Sequence, residues 1–393
     1  MKRFCYVCAD PGIPVPGSKG ASIHIQSVCK ALGDAGLTGE ICVADARDET
    51  LGGVPILPIA RPKPVKGESK RQHEVRRFLG SLGSRITGDP SCEFIYERYS
   101  LWNTSGLARA RELNVPLILE VNSPLPDEAR QHRGLFNHKL AEAIAELLMQ
   151  QADGIVCVSD SVAEWVVEAR GHDEGVWIIS NGVDAELFSP GGPRRQPPLP
   201  PEDVPVVAFC GSFRPWHATD DLLEAFGLLI ERIPEAHLVC IGDGPMRADF
   251  EETARAMGLG NRVHLTGAIP QSEVPRWLRG ANAAVAPYRA EEPFYFSPLK
   301  LFEFLSLGLP IVAADIGQIR DVVPHGERGL LYRPGDTRQL AELLTFLLWD
   351  RKSGAELGQA GRAWVLANAT WQTQVASILR KIETLNNGDR GRA

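Results

Sequence analysis

The chain has 393 residues, of which 44% are hydrophobic and 23% are charged, and its formal net charge is −7. This length is too great for one ordinary hydrophobic core and predicts two domains of roughly 150 to 200 residues each. The acidic balance disfavours a nucleic-acid-binding protein, because contact with phosphate backbones requires a basic face.

The N-terminal segment and the cysteines favour a cytoplasmic protein. Asp10 and Pro11 interrupt the first apolar run before it reaches the length of a signal-peptide core, and no later stretch approaches the roughly 18 apolar residues of a membrane span. Most of the eight cysteines lie within apolar strand or helix patterns, as reduced core residues do. In a strand, Cys5 and Cys8 would point to opposite faces, and we therefore expect no metal site there.

Short apolar runs rich in β-forming residues alternate with helical patterns along the chain. In the first half they are RFCYVCAD, EICVAD, FIYERYS, PLILEVN, GIVCVSD and VWIISNG, and in the second half they are VVAFCGS, HLVCIGDG, VHLTG, AAVAPY, PIVAAD and GLLYRPG. Runs this apolar are typical of parallel strands covered by helices on both faces. Each half is therefore predicted to be a doubly wound, Rossmann-like α/β domain, with the two domains facing a cleft.

The first turn, between RFCYVCAD and a helix from about Ser22, contains Gly17, Lys19 and Gly20. Glycines allow the backbone to approach a ligand closely, and the start of a helix offers free N–H groups to an anion. Gly20 is accordingly a candidate ligand-binding residue, although a plain flexible loop would have the same sequence.

A basic segment, KGESKRQHEVRRFLGSLGSR at residues 66–85, stands out in the acidic chain. Its simpler interpretation is the solvated face of a helix. The alternative is an interfacial patch that brings an enzyme to an anionic lipid acceptor.

A segment rich in proline and glycine, SPGGPRRQPPLPPEDVP at 189–205, is predicted to be a linker between the domains. The expected organisation is an N-terminal domain at 1–188, the linker, and a C-terminal domain at 206–370. A helix and a disordered tail are expected to follow at 371–393.

The turn after the first strand of the second half, within FCGSFRPWHATDDLLEAF, combines Gly211 and Ser212 with Arg214, Trp216 and His217. Ligands of open α/β sheets bind at the carboxyl ends of the strands, beside the positive ends of helices. This turn is therefore a candidate binding site for an anion.

The following turn, IGDGPMR, is similar to the start of a dinucleotide-binding fingerprint. The third glycine of that fingerprint would fall at Arg247, and the next strand ends without an acidic residue for a ribose. A tight turn that needs Gly242 and Gly244 for backbone geometry is the better interpretation.

The most informative segment is EEPFYFSPLKLFEFLSLGLPIVAAD, in which Ser297, Pro298 and Leu299 lead into a helix that carries Lys300 and Glu303. A helix N-terminus with a lysine suits phosphate. A carboxylate one turn further on can accept hydrogen bonds from both hydroxyls of a ribose. The alternative is an ordinary surface pair on an amphipathic helix.

Taken together, these motifs resemble those of the retaining glycosyltransferases of family 4, in group 1, which have the two-domain GT-B fold. The segments that carry the resemblance are SNGVDAELFSP, GSFRPWHATDDLLEAF, IGDGPMR with VHLTGAIPQSEVPRWL, and SPLKLFEFLSLGLPIVAAD. The resemblance implies that Glu303 holds the ribose of a nucleotide-sugar and that the backbone of Ser297, Pro298 and Leu299 contacts its phosphates. The resemblance also places the segment LTGAIP near the base of the nucleotide.

The sequence departs from the family pattern at three positions. Tyr295 stands where the first of two paired glutamates is expected, Ser212 stands at the position of an arginine that binds the diphosphate, and His217 stands at the position of a lysine. Arg214 is a possible substitute for that arginine, and His217 supplies charge only when protonated. The expected donor-binding residues are Gly20, Gly211, Ser212, Arg214, His217, Ser297, Pro298, Leu299, Lys300 and Glu303.

The N-terminal half is expected to bind the acceptor. Where the family often has a histidine after a strand, this chain has LILEVNSPL, in which Glu120 and Asn122 share one strand face. A carboxylate buried at a strand end is unusual as pure structure, and these two residues are the expected catalytic pair. His24, Glu97 and Arg98 are weaker candidates.

The reaction implied is transfer of a hexose-type sugar from a nucleotide diphosphate sugar to an acceptor hydroxyl with retained anomeric configuration, and the choice between a UDP-sugar and a GDP-sugar stays open. The protein would mainly stabilise charge on the departing diphosphate, with no metal and no cofactor beyond the donor itself. A glycan, a lipid-linked molecule or a small molecule would be the acceptor, with at most peripheral membrane contact. The alternatives are a nucleotide-sugar epimerase of the same fold and a non-catalytic nucleotide-sugar-binding protein.

Overall fold

A computed structural model of the chain describes residues 2–59, 62–63, 65–82, 86, 89–194, 204–290 and 294–389. These residues form two compact units. Unit 1 comprises Met1–Asn181, Tyr295–Ser297 and Trp371–Ala393, and unit 2 comprises Gly182–Phe294 and Pro298–Thr370, as far as those ranges are described. Residues 195–203 of the predicted linker and 390–393 of the predicted tail lie outside the described residues.

Unit 1 alternates strands and helices. Its strands are β1 (Arg3–Cys8), β2 (Pro14–Val15), β3 (Thr38–Val43), β4 (Asp45–Ala46), β5 (Thr50–Leu51), β6 (Val54–Pro58), β7 (Phe94–Arg98), β8 (Leu117–Val121), β9 (Gly154–Cys157) and β10 (Val176–Ile178). Its helices are α1 (Gly20–Asp34), α2 (Glu68–Leu82), α3 (Ser105–Leu113), α4 (Leu125–Arg133), α5 (His138–Gln151), α6 (Asp160–Arg170) and the last helix of the chain, α14 (Trp371–Asp389).

The main sheet of unit 1 has the order β10-β9-β8-β7-β1-β3-β6-β5 among the described residues. All neighbouring strands are parallel except β5 and β6. The chain moves outward from β1 through β3 and then from β7 through β8, so that the strand order reverses between β1 and β7. This is the switch point at which doubly wound sheets bind ligands.

Unit 2 has a second parallel sheet. Its strands are β11 (Val206–Cys210), β12 (His237–Ile241), β13 (Val263–Leu265), β14 (Ala283–Ala286), β15 (Ile311–Ala314) and β16 (Leu330–Tyr332). Its helices are α7 (Thr219–Ile230), α8 (Arg247–Ala256), α9 (Val274–Leu278), α10 (Leu299–Ser306), α11 (Gly317–Val322), α12 (Thr337–Trp349) and α13 (Arg351–Asn368), with single turns of 3₁₀-helix at Pro215–His217 and Gln271–Glu273.

The strand order of unit 2 is β13-β12-β11-β14-β15-β16, and every neighbouring pair is parallel. The order reverses between β11 and β14, which places the switch point at their carboxyl ends. The predicted class, two doubly wound Rossmann-like α/β domains, is therefore confirmed for each unit.

The cores explain the apolar character of the strands. β1, β8, β14 and β15 are buried at almost every position, as expected for strands covered on both faces. All eight cysteines are free, and all but Cys210 are buried, as predicted for reduced core residues. Among the described residues, no helix is long and apolar enough to cross a membrane.

Candidate active site

Three turns of unit 2 meet at the carboxyl edge of its sheet because glycines allow their backbones to touch. A Cβ atom on Gly242 would lie 2.1 Å from the carbonyl oxygen of Gly211, and one on Gly244 would lie 2.5 Å from the amide nitrogen of Phe213. Gly242 also donates a hydrogen bond to the carbonyl oxygen of Gly267, at 3.1 Å. IGDGPMR is thus a tight turn, as predicted, and it packs beside the turn that begins at Gly211.

Lys300 projects from the first turn of α10 to the switch point of this sheet. Its Nζ lies 4.7 Å from the ring centroid of Phe209 in β11 and 5.2 Å from that of Tyr288, which follows β14. A Cβ atom on Gly211 would lie only 2.6 Å from Nζ, so glycine leaves the space that the lysine occupies. Lys300 therefore stands at the end of β11, where the sequence predicted an anion site.

The ammonium group of Lys300 is buried without compensation from an acceptor. Lys300 is 8% exposed, and among the described residues its Nζ has no hydrogen-bond partner. Burial lowers the pKa of Lys300 to about 8, although Cys210 and Glu303 oppose that shift. A buried cation without a hydrogen-bond acceptor is costly, and such a group is well suited to bind an anionic ligand.

Glu303 lies one turn further along α10, as the sequence predicted. Its Oε1 accepts a long hydrogen bond of 3.4 Å from Nε2 of Gln271. Burial raises the pKa of Glu303 to about 7, against the effects of Gln271 and Lys300. The carboxylate can thus accept hydrogen bonds from a ribose in its ionised form, and it loses that capacity in part when it is protonated.

His217 is buried and contacts the backbone of its own turn. Its Nδ1 contacts the carbonyl oxygen of Ser212, and since a carbonyl can only accept, Nδ1 carries the proton. Burial, assisted by Lys300 and Arg214, lowers the pKa of His217 to about 2. The ring is therefore neutral in the free protein, as expected near neutral pH, and so low a pKa disfavours the positive charge predicted beside a bound diphosphate. The neutral ring instead holds the turn of Ser212.

Arg214 and Trp216 lie on the open side of the same turn. Arg214 is exposed, and its guanidinium carbon is 5.7 Å from the ring centroid of Trp216. Ser212 is also exposed, and its carbonyl is used by His217. Of the cations predicted around the diphosphate, unit 2 therefore presents Lys300 and Arg214.

The loop before α10 is divided between the units. Pro298 and Leu299 belong to unit 2, with Pro298 as the residue that precedes the helix, whereas Ser297 belongs to unit 1. Tyr295, which stands where the resemblance leads us to expect a glutamate, packs against the apolar core of unit 1, and its carbonyl accepts a hydrogen bond of 2.9 Å from Ser159.

Glu120 is the centre of a buried polar network in unit 1. Its Oε1 accepts hydrogen bonds from Arg98 and from Nδ2 of Asn122, both at 2.8 Å, and its Oε2 lies 2.9 Å from Nε2 of His24. Burial would raise the pKa of Glu120, but His24, Arg98 and Asn122 outweigh burial and lower it to about 2. The structure thus brings together both predicted catalytic residues and two of the weaker candidates.

The network continues through Asn181, a residue that sequence reasoning missed. Nδ1 of His24 lies 2.7 Å from Oδ1 of Asn181, and Nδ2 of Asn181 donates to the carbonyl oxygen of Ser297 at 2.6 Å. The backbone N–H of Asn181 donates to Oγ of Ser297 at 3.0 Å. The carbonyl of Ser297 therefore fixes the orientation of the amide, and both nitrogens of His24 face acceptor oxygens.

The remaining predicted residues lie elsewhere in unit 1. Gly20 is the first residue of α1. Glu97 is fully buried and accepts a hydrogen bond of 2.8 Å from Asn103, and burial raises its pKa to about 8. A Cβ atom on Gly106 would lie 1.6 Å from the carboxyl group of Glu97, so this acid fills a packed space, as a structural residue does.

Within the described part of the chain, one group of side chains has metal-binding spacing. Cys5, Glu40 and Cys42 have ligand atoms within 4.8 Å of one another, and the two sulfur atoms are 3.9 Å apart. The group lies on β1 and β3 and includes none of the candidate site residues.

Two family models match the chain, and together they cover most of it. Residues 18–187 match the model described as "Glycosyltransferase Family 4", and residues 204–350 match "Glycosyl transferases group 1". The chain is 27% identical over 388 residues to a D-inositol 3-phosphate glycosyltransferase of Thermobispora bispora. The alignment covers 91% of this chain and 88% of that protein. It is also 27% identical over 265 residues to the sulfoquinovosyl transferase SQD2 of Arabidopsis thaliana, over 65% of this chain and 49% of that protein.

Solved structures share the fold. A sucrose-phosphate synthase of Thermosynechococcus elongatus superposes with a TM-score of 0.77 at 20% identity, covering 99% of this chain and all of the other. HepE of Anabaena, in complex with UDP and glucose, superposes with a TM-score of 0.74 at 19% identity, covering 98% of this chain and all of the other. The chain therefore belongs to the group 1 glycosyltransferases of family 4 and has the GT-B fold.

Proposed function

We propose that this glycosyltransferase moves a sugar from a nucleotide diphosphate sugar to an acceptor hydroxyl, with retention of the anomeric configuration and without a metal ion. The observation that carries the donor part of the proposal is Lys300, a buried cation whose Nζ has no hydrogen-bond partner among the described residues. It stands at the switch point of the unit 2 sheet, one helical turn from a carboxylate that suits a ribose.

The diphosphate is assigned to the space between Lys300 and the turn of Gly211. Lys300 supplies a charge in a site of low dielectric constant, where a charge has a large effect on a transition state. Arg214 supplies a second cation, and the free N–H groups at the start of α10 supply further donors. These groups act without proton transfer, and a divalent ion is not required to neutralise the leaving diphosphate.

His217 contributes by position rather than by charge. Its proton is on Nδ1, so its Nε2 is an acceptor and cannot donate to a phosphate oxygen. The imidazole holds the carbonyl of Ser212 away from the phosphates. This matters because a carbonyl oxygen would repel an anion. The donor site thus relies on Lys300 and Arg214.

We assign the acceptor to the network of unit 1 around Glu120. With a pKa of about 2, the Glu120 carboxylate stays ionised at neutral pH and is a weak base, which suits orientation of an acceptor hydroxyl rather than removal of its proton. The proton would then pass to the departing phosphate on the same face of the sugar, which is the basis for proposing retention. Asn122, Arg98 and His24 hold Glu120 in place.

The relatives narrow the choice of substrates to test. HepE was crystallised with UDP and glucose, and several curated relatives are named D-inositol 3-phosphate glycosyltransferases. UDP-glucose is therefore the first donor for assay, with GDP-sugars beside it, and the acceptor panel spans glycans, lipid-linked acceptors and phosphorylated polyols.

Calorimetry with UDP and GDP tests the donor site. We expect Lys300→Gln and Glu303→Gln each to weaken nucleotide binding by roughly 1.5 to 3 kcal/mol, the range for hydrogen bonds to charged groups. Lys352→Gln is the matched control, because Lys352 is an exposed lysine on α13. Unchanged affinity in both site variants would remove α10 from the donor site.

The epimerase alternative is tested by incubating donor without acceptor. An epimerase would convert the nucleotide-sugar into a different one, whereas a transferase would release nucleotide slowly by hydrolysis. With an acceptor, the anomeric coupling constant in the NMR spectrum of the product decides between retention and inversion.

A further inference from the structure

Strands β1 and β3 bring two thiols and a carboxylate to one face of the unit 1 sheet. Their parallel register sets Cys5 beside Glu40, and Cys42 points the same way as Glu40, because side chains two residues apart on a strand share a face. The sulfur of Cys5 is 3.9 Å from that of Cys42, and the ligand atoms of the three residues lie within 4.8 Å of one another. The three side chains are called the donor set below.

The donor set lies on the opposite face of the sheet from the Glu120 network. Cys5 and Cys42 belong to the apolar cluster that also contains Leu119 and Val121 of β8. Glu120 stands between those two residues of β8 and therefore points to the other face, because successive side chains of a strand alternate. The donor set is thus separate from the acceptor site that we assign to unit 1.

The neighbours of Glu40 anchor its carboxylate. The backbone N–H of Asp89 donates a hydrogen bond to Oε1 of Glu40, and Asp89 forms an ion pair of 2.6 Å with Arg3. Burial raises the pKa of Glu40, while the N–H of Asp89, Arg3 and Arg109 favour the ionised form. Carboxylates that bind metal ions have outer hydrogen bonds of this kind, which orient the remaining lone pairs. Glu40 is only half-buried, so an ion can reach the donor set from its side.

The two thiols are buried in contact with each other. Cys5 has no exposed surface and Cys42 is 2% exposed. The contact with Cys42, together with burial, raises the pKa of the Cys5 thiol, so Cys5 stays protonated until a cation displaces its proton. The distance between the sulfurs also suits an ion. With zinc–sulfur bonds of about 2.3 Å, two sulfur ligands of a tetrahedral zinc are about 3.8 Å apart.

We propose that Cys5, Glu40 and Cys42 bind a structural zinc ion that ties β1 to β3. Two sulfur ligands and one carboxylate suit zinc, whereas magnesium and calcium prefer oxygen ligands alone. Both thiols release their protons to solvent when they bind the ion. A water molecule on the side of Glu40 completes the tetrahedron. The ion takes no part in sugar transfer, so the proposal does not depend on the donor or acceptor site.

Metal analysis of the untagged protein, kept reduced and dialysed against zinc, tests the site. We expect zinc in equimolar amount and a melting temperature several degrees higher than that of the zinc-free protein. Cobalt in place of zinc should give a thiolate-to-metal charge-transfer band in the near ultraviolet, which oxygen ligands alone do not produce. Cys5→Ala and Cys42→Ala should lose both the zinc and the band. Glu40→Gln should weaken zinc binding by at least about tenfold, since even an outer partner of a ligand is worth that much.

Cysteines outside the donor set supply the controls. Cys157 is as fully buried as Cys5 in the same apolar cluster, and Cys92 belongs to that cluster as well, but neither is in the donor set. Cys157→Ala and Cys92→Ala should therefore keep the zinc and the band. Loss of the band in either control would overturn the assignment of the ligands.

The cobalt spectrum of the wild type decides the proposal even where a variant fails to fold. Absence of the charge-transfer band would overturn it. Equal zinc content in the wild type and Cys5→Ala would also overturn it, because the ion would then be bound elsewhere and only adventitiously. Calorimetry of UDP binding to the zinc-free wild type should give an unchanged affinity, which separates failure of this site from failure of the donor site.

Discussion

Nucleotide affinity should pass through a maximum between about pH 7 and pH 8, because Lys300 and Glu303 titrate there in opposite senses. A diphosphate favours the charged form of Lys300 and raises its pKa in the complex. The contribution of Lys300 is therefore complete below about pH 8 and is lost as the pH rises toward the pKa of the complex. Each pH unit on that side is expected to cost up to about tenfold in affinity.

Glu303 produces the acid side of the profile. Ribose hydroxyls donate to the carboxylate, so binding favours the ionised form and lowers the pKa of Glu303 in the complex. Its contribution is present above about pH 7 and is lost as the pH falls through the range between the free and bound pKa values. Lys300 and Glu303 lie on one helix and affect each other's pKa. The apparent pKa values read from the two limbs of the profile therefore belong to the pair rather than to either residue.

The assay is titration calorimetry of UDP or GDP across the pH range, repeated in buffers of different ionisation enthalpy to count protons taken up. Lys300→Met should bind weakly and lack the alkaline limb, while Glu303→Gln should lack the acid limb. A flat wild-type profile would refute the reasoning, as would an alkaline limb that persists in Lys300→Met.

Three further predictions concern the site and its support. Gly211→Ala should lower both the melting temperature and the nucleotide affinity. The new Cβ would lie 2.6 Å from Nζ of Lys300, and the φ of +153° at this position is strained for alanine. Gly33→Ala is the control, because a Cβ atom there would have nothing within 4 Å. Glu120→Gln should remove about 3 kcal/mol of stability at neutral pH and flatten the acid limb of unfolding, since the native pKa of about 2 lies below the usual 4.5 and stability is lost as the pH falls through that interval. Denaturant titrations at neutral and acid pH measure both effects, and parallel curves for wild type and variant would exclude this role. Transferase activity should survive excess EDTA; loss that magnesium restores would contradict a metal-independent reaction.

The sheets were predictable because burial on both faces makes strands apolar along their whole length. Every predicted run appears as a parallel strand, from RFCYVCAD in β1 to GLLYRPG in β16. Strand β6, with the sequence VPILP, was not predicted. Two prolines in so short a run are typical of a turn, and pairing with β3 and β5 makes it a strand.

The chemistry of single side chains was less predictable, since protonation depends on neighbours that are distant in sequence. Lys300 and Glu303 could be placed from the local pattern at the start of a helix. The burial of His217 beside Lys300, which lowers the pKa of the imidazole to about 2, could not be placed in this way. Asn181 was missed because it meets His24 across 157 positions, although it stands in the quoted motif SNGVDAELFSP.

The last helix, α14, has a consequence for how the chain is made. It belongs to unit 1, where Trp371 lies edge-on to His24 with ring centroids 5.0 Å apart and Gln374 donates to Oγ of Ser180 at 2.9 Å. Unit 1 thus needs residues that are synthesised after all of unit 2. Unit 1 therefore cannot be completed on the ribosome until the whole of unit 2 has been synthesised. Cutting the gene at the predicted linker would release an N-terminal fragment that lacks this helix and leaves the surface of α1 beneath it exposed.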